Sequence, residues 1–241
     1  MTRYSLGKIG LGLGSIAALA ALAWNYLALP TSTQWTDEEQ RLIASLSLNQ
    51  LPRLPTDPSN AQADNPDAAE LGHALYFDTR LSSTGAVACA TCHKPERMFT
   101  DGLKLAVGAG IGNRHTPSLV GLSYSPWFYW DGRKDSQWAQ ALAPLEAKHE
   151  HAMTRSDLAR LILSDADYSA RYRSAFGALP GFDIPAGASP LGDDIERANW
   201  EGLPETEQQA INDIFTNIGK ALAAYQRKIQ PGRARFDDYA D

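Results

Sequence analysis

Apolar side chains recur at helical spacing near the end of the chain. They are Ile211, Ile214, Phe215, Ile218, Leu222, Tyr225 and Ile229. Because residues three and four positions apart lie on one face of an α-helix, this stripe predicts a long amphipathic helix that buries one face in a core. The dipeptide Pro231-Gly232 then predicts the end of that element.

Capping signals predict shorter helices elsewhere. A polar residue with an acid three positions later marks a helix start, and a proline at the first helical position does the same. We expect helices from Asp37 to about Leu48, from Pro66 to about Phe77, around Gln140, after Thr154 and up to Gly177. Residues 177–194 show no periodicity and are expected to form a long loop. With no period-two alternation and no internal repeat, the sequence predicts a mainly α fold.

The sequence divides into three expected segments. Residues 1–30 place two basic residues and no acid around an uncharged apolar run, which is typical of an export signal. This segment is either a cleaved signal peptide or a retained transmembrane anchor. Residues 31–65 are expected to form a short helix and a proline-rich tether, and residues 66–241 the main domain. We expect that domain on the periplasmic side of the inner membrane, anchored there or, after cleavage, soluble in the periplasm.

The charge balance limits the class of partner. The chain has 28 acidic and 22 basic residues, and its formal net charge is −6 at pH 7. A negative surface repels the phosphate backbone, so no nucleic-acid partner is expected. The same charge could steer the protein toward a basic partner, although such a value more often serves solubility.

Both cysteines of the chain lie in the stretch CATCH, as Cys89 and Cys92, and His93 follows directly. C-x-x-C-H is the attachment signature of c-type haem. Its two thiols bond the two vinyl groups of one haem, and the adjacent histidine reaches the iron. Zinc would need further ligands at suitable spacing, and a redox pair does not require His93. The sequence therefore predicts one covalently attached haem c, with His93 as the iron ligand.

The sixth coordination position of the iron separates two classes of function. A strong sixth ligand makes an electron carrier, whereas an open position admits a small oxidant. The candidates for a sixth ligand are His115 and Met153. Met153 also suits core packing, and a lone histidine is usually a surface or core residue.

From about Leu71 to Met153 the chain resembles the N-terminal, peroxidatic haem domain of bacterial di-haem cytochrome c peroxidases and MauG-like enzymes. Five ordered blocks carry the resemblance: LGHALYFDTRLSSTGAVACATCH, FTDG, NRHTPSL, FYWDGR and QALAPLEAKHE. A fainter similarity continues through IGKALAAYQRK and FDDY. The resemblance implies a cytochrome c-like haem domain with long loops.

The resemblance also implies roles for three residues. Glu150 matches a distal glutamate that moves the peroxide proton, Gln140 a distal glutamine beside it, and Trp130 a tryptophan on the electron route between two haems. The residue types suit this chemistry, because a carboxylate can move a proton between the peroxide oxygens and an amide can orient the peroxide. Taken alone, Glu150 would be read as a solvated charge and Trp130 as a core residue. Glu146 lies outside the matched position, so Glu146→Gln is expected to leave the rate of the peroxide reaction nearly intact.

Two departures from the family pattern change the expectations. Many members carry a histidine in the loop after the haem motif, which caps the resting iron, but here that loop reads LKLAVGAGIGNR. The resemblance then implies a site that is open without activation. The second departure is His115, which stands where the family has a calcium-binding asparagine. Histidine is a poor calcium ligand, so calcium is not carried over.

The family continues with a second haem domain, whereas this sequence ends at FDDYAD. The second haem is expected on a separate subunit; the alternatives are a mono-haem protein served by a soluble cytochrome, or a truncated gene. The predicted function is reduction of hydrogen peroxide by a haem peroxidase-type oxidoreductase, with electrons from a partner haem. The alternatives are a non-catalytic electron-transfer cytochrome subunit of a membrane-anchored redox complex, and a haem domain kept for interaction.

Overall fold

A computed structural model describes residues 35–241, so the expected signal or anchor, residues 1–30, lies outside the described part of the chain. Within residues 35–241, none of the helices has the length and apolar character needed to cross a membrane. These residues form two compact units, one of residues 35–51 with 233–241 and one of residues 52–232.

The described chain is mainly helical, as predicted, and its extended segments form only isolated bridges. In chain order the helices are α1 Asp37–Ser45, α2 Pro66–Phe77, α3 Cys89–Cys92, α4 Gln137–Glu146, α5 Arg155–Ser164, α6 Ala166–Phe176, α7 Asp194–Glu201, α8 Glu205–Gln226 and α9 Arg235–Ala240. The helices predicted from capping signals are all present, and the predicted amphipathic stripe lies on α8. Long loops connect α3 to α4 and α6 to α7.

Three helices were not predicted. Helix α3 is a single turn of four residues, too short for a periodic pattern. Helix α7 begins where the expected loop, residues 177–194, ends, in a stretch for which no element was predicted. It starts at a capping box in which the Asp193 and Glu196 side chains each accept a hydrogen bond from the other residue's backbone N–H. This is the same signal that correctly predicted α1, so the sequence contained the evidence. Helix α9 has only six residues, too few for a periodic pattern to stand out.

In the smaller unit, the residues that follow α1 contact residues in and directly after α9. The Asp237 carboxylate accepts a hydrogen bond from the Leu48 N–H at 2.7 Å. The Asp241 carboxylate accepts one from the Asn49 side chain at 2.6 Å. These two contacts join residues that are 189 and 192 positions apart in the sequence. They are charge-assisted hydrogen bonds, because the acceptors are carboxylates.

Helix α8 is the centre of the larger unit. Its side chains Ile211, Ile214, Phe215, Ile218 and Leu222 are at most 3% exposed, which confirms the predicted core face. They pack with apolar residues of α2, α4, α5 and α6 in one continuous core. Burying one such side chain stabilises the fold by about 1.5–3 kcal/mol relative to exposing it, so this helix organises the unit.

The proline-rich segment before α2 differs from the expected tether. Asn60 is only 2% exposed, and its side-chain amide donates to the Lys220 carbonyl of α8 at 3.2 Å. The buried Arg227 guanidinium donates to the Pro55 carbonyl at 3.0 Å and pairs with Asp64 at 2.9 Å. The segment has no helix or strand, but its polar groups satisfy groups at the end of α8 and hold it against the larger unit.

Helices α2 and α8 make backbone contact at Gly72. A Cβ on this residue would lie 2.0 Å from the Ala221 carbonyl oxygen, so no other residue fits without separating the helices. This contact positions the C-terminal part of α2. There the buried Tyr76 hydroxyl donates to the His93 carbonyl at 2.7 Å, which ties the CATCH sequence to the core.

The Gly72 contact predicts that Gly72→Ala destabilises the protein. The added methyl group must push α8 away, and overpacking of this kind costs about 1–3 kcal/mol or more. Gly181→Ala is the matched control, because a Cβ there would meet nothing within 4 Å. Chemical denaturation of both variants checks this expectation, and equal midpoints for the two would contradict it.

Candidate active site

The CATCH sequence forms one short helical turn, α3, followed by His93. The Thr91 hydroxyl accepts from the Ala88 N–H at 2.9 Å and the His93 N–H donates to the Cys89 carbonyl at 2.8 Å, which fixes the local backbone. Both cysteines are free and partly buried. Burial raises the pKa of Cys89 to about 12, so this group is a neutral thiol at pH 7. Such a thiol differs from the low-pKa thiolate of a redox pair.

His93 is oriented by a backbone carbonyl. Its Nδ1 lies 3.0 Å from the Phe99 oxygen, so Nδ1–H donates there and the lone pair of Nε2 is left for a metal. Burial lowers the pKa of His93, which keeps the ring in the neutral form that binds iron. The carbonyl comes from a turn in which Met98 and Phe99 both have positive φ, 55° and 58°. Such residues cost about 1–3 kcal/mol each and cluster at functional sites.

Asp101 connects two of the matched sequence blocks, FTDG and NRHTPSL. Its buried carboxylate accepts from the Thr116 hydroxyl at 2.9 Å and from the Leu103 N–H at 3.0 Å. Burial would raise the pKa of Asp101, but these hydrogen bonds lower it overall. An ionised carboxylate therefore holds the start of the following loop against the NRHTPSL block.

Glu150 lies in the turn that follows α4, and its N–H donates to the Ala147 carbonyl at 2.9 Å. Its side chain is 43% exposed and lies 3.6 Å from His149 Nε2. Burial raises the pKa of Glu150, and the positive charges of His149 and Arg133 oppose that effect only in part. The carboxylate is therefore a better proton acceptor than an ordinary surface glutamate.

Tyr129 lies near Glu150, and no role was predicted for it from the sequence. Burial raises the pKa of its phenol, hydrogen bonding to Gln140 lowers it in part, and the charge of Glu150 raises it further. Its φ is 64°, and the Arg133 guanidinium lies 3.6 Å from its ring centre. Gln140 is thus a hydrogen-bond partner of the Tyr129 phenol, and Glu150 lies near enough for its charge to act on that phenol. The sequence did contain a signal for Tyr129, because it lies in the matched block FYWDGR directly before Trp130, for which a role was predicted.

His151 joins the Glu150 turn to the haem-attachment sequence. It is 4% exposed, its Nδ1 lies 2.9 Å from the Leu81 carbonyl, and its Nε2 lies 3.9 Å from Cys89 Sγ. Burial lowers its pKa, so the ring is neutral. No role for His151 could be predicted from the sequence, because its contact with Cys89 bridges 62 residues.

The remaining predicted site residues lie in different environments. Trp130 is 75% exposed, so the core-packing alternative is wrong, and the Arg114 guanidinium lies 4.5 Å from its ring centre. His115 is exposed. Met153 packs against the main core, which was the alternative to its role as an iron ligand.

The donor set fits a covalently attached haem. Two thiols and an imidazole with a free Nε2 occur within five consecutive residues. Large apolar side chains are exposed in the loops that follow: Met98, Leu103, Leu105, Val107, Ile111, Trp127 and Trp130. A group of exposed apolar side chains beside an attachment sequence suits contact with an apolar ligand.

Comparisons with known proteins agree with this chemistry. Residues 66–241 match the family described as di-haem cytochrome c peroxidase. The chain is 32% identical over 213 residues to the methylamine utilization protein MauG of Methylorubrum extorquens, which covers 87% of this chain and 51% of that protein. It is 32% identical over 117 residues to the cytochrome c551 peroxidase of Nitrosomonas europaea, covering 48% of this chain and 35% of that protein.

A solved structure is also similar. It is a MauG-like protein associated with microbial copper homeostasis, with a TM-score of 0.54 and 27% identity, and the match covers 78% of this chain and 48% of that one. This chain spans about half the length, or less, of the relatives reported above. Since the family match extends over most of the chain, the chain belongs to the di-haem cytochrome c peroxidase family, whose members are c-type haem proteins.

Proposed function

We propose that this chain is a peroxidase-type oxidoreductase that reduces hydrogen peroxide with electrons from a partner haem. One haem c would be attached through Cys89 and Cys92, with His93 as its iron ligand. The observation that carries the proposal is the place of Glu150, whose turn is hydrogen-bonded to the loop that contacts Cys92 and whose carboxyl has a pKa raised by burial. The apolar run within residues 1–30 supports export, with the haem domain, residues 66–241, on the periplasmic side of the inner membrane.

The side chains divide the work as follows. The haem, when bound, supplies the two-electron redox chemistry of peroxide reduction. Glu150 takes a proton from the near peroxide oxygen and returns it to the leaving oxygen, which departs as water. Gln140 orients the peroxide, and the Tyr129 hydroxyl fixes the orientation of the Gln140 amide. A neutral His93 with Nδ1–H held by the Phe99 carbonyl keeps its Nε2 directed to the iron.

Electrons would enter near Trp130. This indole is exposed, so a partner protein can reach it, and the Arg114 guanidinium holds it by a cation–π contact. The proposed partner is a haem-containing subunit or a small cytochrome.

The absence of histidine from residues 103–114 predicts an accessible iron. We expect the resting ferric haem to be high-spin or water-ligated and to bind cyanide promptly, as absorption spectra would show. A low-spin haem that resists cyanide would instead support an electron-transfer cytochrome. In that case Met153→Leu and His115→Asn, tested separately, identify the sixth ligand.

Glu150→Gln tests the acid–base assignment. The reaction with peroxide should slow by about a hundredfold to ten-thousandfold, because the amide cannot accept the proton. The wild-type rate should fall as the pH falls through the raised pKa of Glu150, since the protonated carboxyl is not a base. This fall of the rate at low pH, the acid limb of the profile, should be lost in Glu150→Gln. Stopped-flow mixing with hydrogen peroxide over a range of pH measures both effects, and equal rates would remove the assignment.

The control for this experiment is Glu96→Gln and not Glu146→Gln. Glu146→Gln is unsuitable as a control, because the Glu146 side chain is 9% exposed and pairs with Arg155 at 3.0 Å. Removing its charge would leave Arg155 without its partner and destabilise the fold. Glu96 is exposed and lies three residues after His93, so its substitution makes the same change of charge near the haem.

Trp130→Phe tests the electron route, with Trp127→Phe as its control. The two tryptophans lie three positions apart in the sequence, and both are exposed, Trp130 by 75% and Trp127 by 62%. We expect the first reaction with peroxide to be unchanged in both variants. Re-reduction by a reduced small c-type cytochrome should be slowed in Trp130→Phe alone. Equal re-reduction rates for the two variants would contradict the assignment of Trp130.

A further inference from the structure

The loop of residues 106–112 lies directly on the turn that carries Glu150. The Ala109 N–H donates to the Glu150 carbonyl at 2.8 Å, and the Gly110 N–H donates to the His149 carbonyl at 3.0 Å. These are bonds between main-chain groups, so they hold the path of the backbone and do not depend on side-chain rotamers.

Gly108 allows this close approach. A Cβ on Gly108 would lie 2.8 Å from the carbonyl oxygens of both His149 and Glu150 and 2.9 Å from Glu150 Cα. Side-chain carbons are not found so close to backbone atoms, and backbone cannot turn aside as the end of a flexible side chain can. The φ of Gly108 is not in the left-handed region, so the requirement for glycine comes from the contact alone.

The same loop and turn both contact the haem-attachment sequence. Cys92 Sγ lies 3.5 Å from the Val107 carbonyl, within the loop. His151, directly after Glu150, is held through its ring by the Leu81 carbonyl at 2.9 Å and through its N–H by the Pro144 carbonyl at 3.2 Å. The Glu150 backbone is therefore held on one side by the loop and on the other by a buried histidine that faces Cys89.

We propose that Gly108 is a positioning residue of the peroxide reaction, which seats loop 106–112 on the Glu150 turn and so sets the distance of the Glu150 carboxylate from the haem-attachment sequence. The inference rests on the proposed role of Glu150. An acid–base group must lie within about 2.6–3.2 Å of the proton that it moves, and a displacement of about 1 Å can cost about a hundredfold in rate. Any other residue at position 108 forces the loop and the turn apart.

Four proteins form the test: the wild type, Gly108→Ala, Glu150→Gln and the double variant, each as the full chain with its haem. We expect Gly108→Ala to slow the peroxide reaction by about tenfold to a hundredfold. The double variant should be no slower than Glu150→Gln, because Gly108 acts only through Glu150. Gly112→Ala is the control within the loop, since its Cβ would come no closer than 3.4 Å to any atom.

The pH profile separates positioning from a general loss of stability. We expect an opened loop to leave the Glu150 turn more exposed to water, which reduces the burial that raises the pKa of the Glu150 carboxyl. The acid limb of the rate should therefore move to lower pH in Gly108→Ala. The charged groups that face the carboxyl, His149 and Arg133, remain in both proteins, and so does the Tyr129 phenol. If Gly108→Ala only made the fold less stable, its rate would fall with pH at the same place as the wild-type rate.

The outcomes separate this inference from the proposed function. If Glu150→Gln reacts at the wild-type rate, the acid–base assignment is wrong and the role of Gly108 is wrong with it. If Glu150→Gln is slow but Gly108→Ala is not, or if the two effects multiply in the double variant, only the inference about Gly108 is wrong.

Amide hydrogen exchange of the wild-type protein gives a second measurement if Gly108→Ala does not attach haem. We expect the amides of Ala109 and Gly110 to be protected by their bonds to the turn. Exchange of these two amides at the rate of an unstructured peptide would show that the loop is not seated, and would overturn the inference.

Discussion

A neutral histidine binds iron through Nε2 only when its proton is on Nδ1. Here the oxygen of the Phe99 carbonyl lies 3.0 Å from Nδ1 of His93 and accepts its hydrogen bond. The carbonyl is available because Met98 and Phe99 adopt left-handed conformations, whose cost the surrounding contacts must offset. The Ser118 hydroxyl donates to the Met98 carbonyl at 2.6 Å, and the Tyr76 hydroxyl donates to the His93 carbonyl at 2.7 Å. The orientation of one imidazole thus depends on the NRHTPSL block and on the core helix α2.

Close approach of backbone to backbone recurs at two levels of this structure. At Gly72 it joins the two helices that organise the core, and at Gly108 it joins a loop to the turn of the proposed acid–base group. In each case a single methyl group would occupy the place of a carbonyl oxygen. Close main-chain contacts therefore occur both in the core and at the turn of the proposed acid–base group, and such contacts can hold a reacting group to a fraction of an ångström.

Partial burial sets the protonation of the site in a consistent direction. It lowers the pKa of His93, which keeps the ring neutral for iron, and it raises the pKa of Glu150, which makes the carboxylate a stronger base. Asp101 is the contrast, since its hydrogen bonds outweigh burial and keep it ionised as a structural anchor. Burial disfavours the charged form of either group, so it lowers the pKa of a histidine and raises the pKa of a carboxyl. These are the shifts that suit the proposed iron ligand and the proposed proton acceptor.

The sequence by itself determined the features that depend on near neighbours in the chain. Helix starts at Asp37 and Pro66, the core stripe of α8 and the haem-attachment signature all come from residues within a few positions of one another. The tertiary structure alone decided the packing of the proline-rich segment, the pairing of Glu146 with Arg155, and the seating of Gly108 on the Glu150 turn. It also placed Tyr129 beside Gln140 and His151 beside Cys89. Each of these depends on where two segments meet, and neither segment's local pattern encodes the distance to the other.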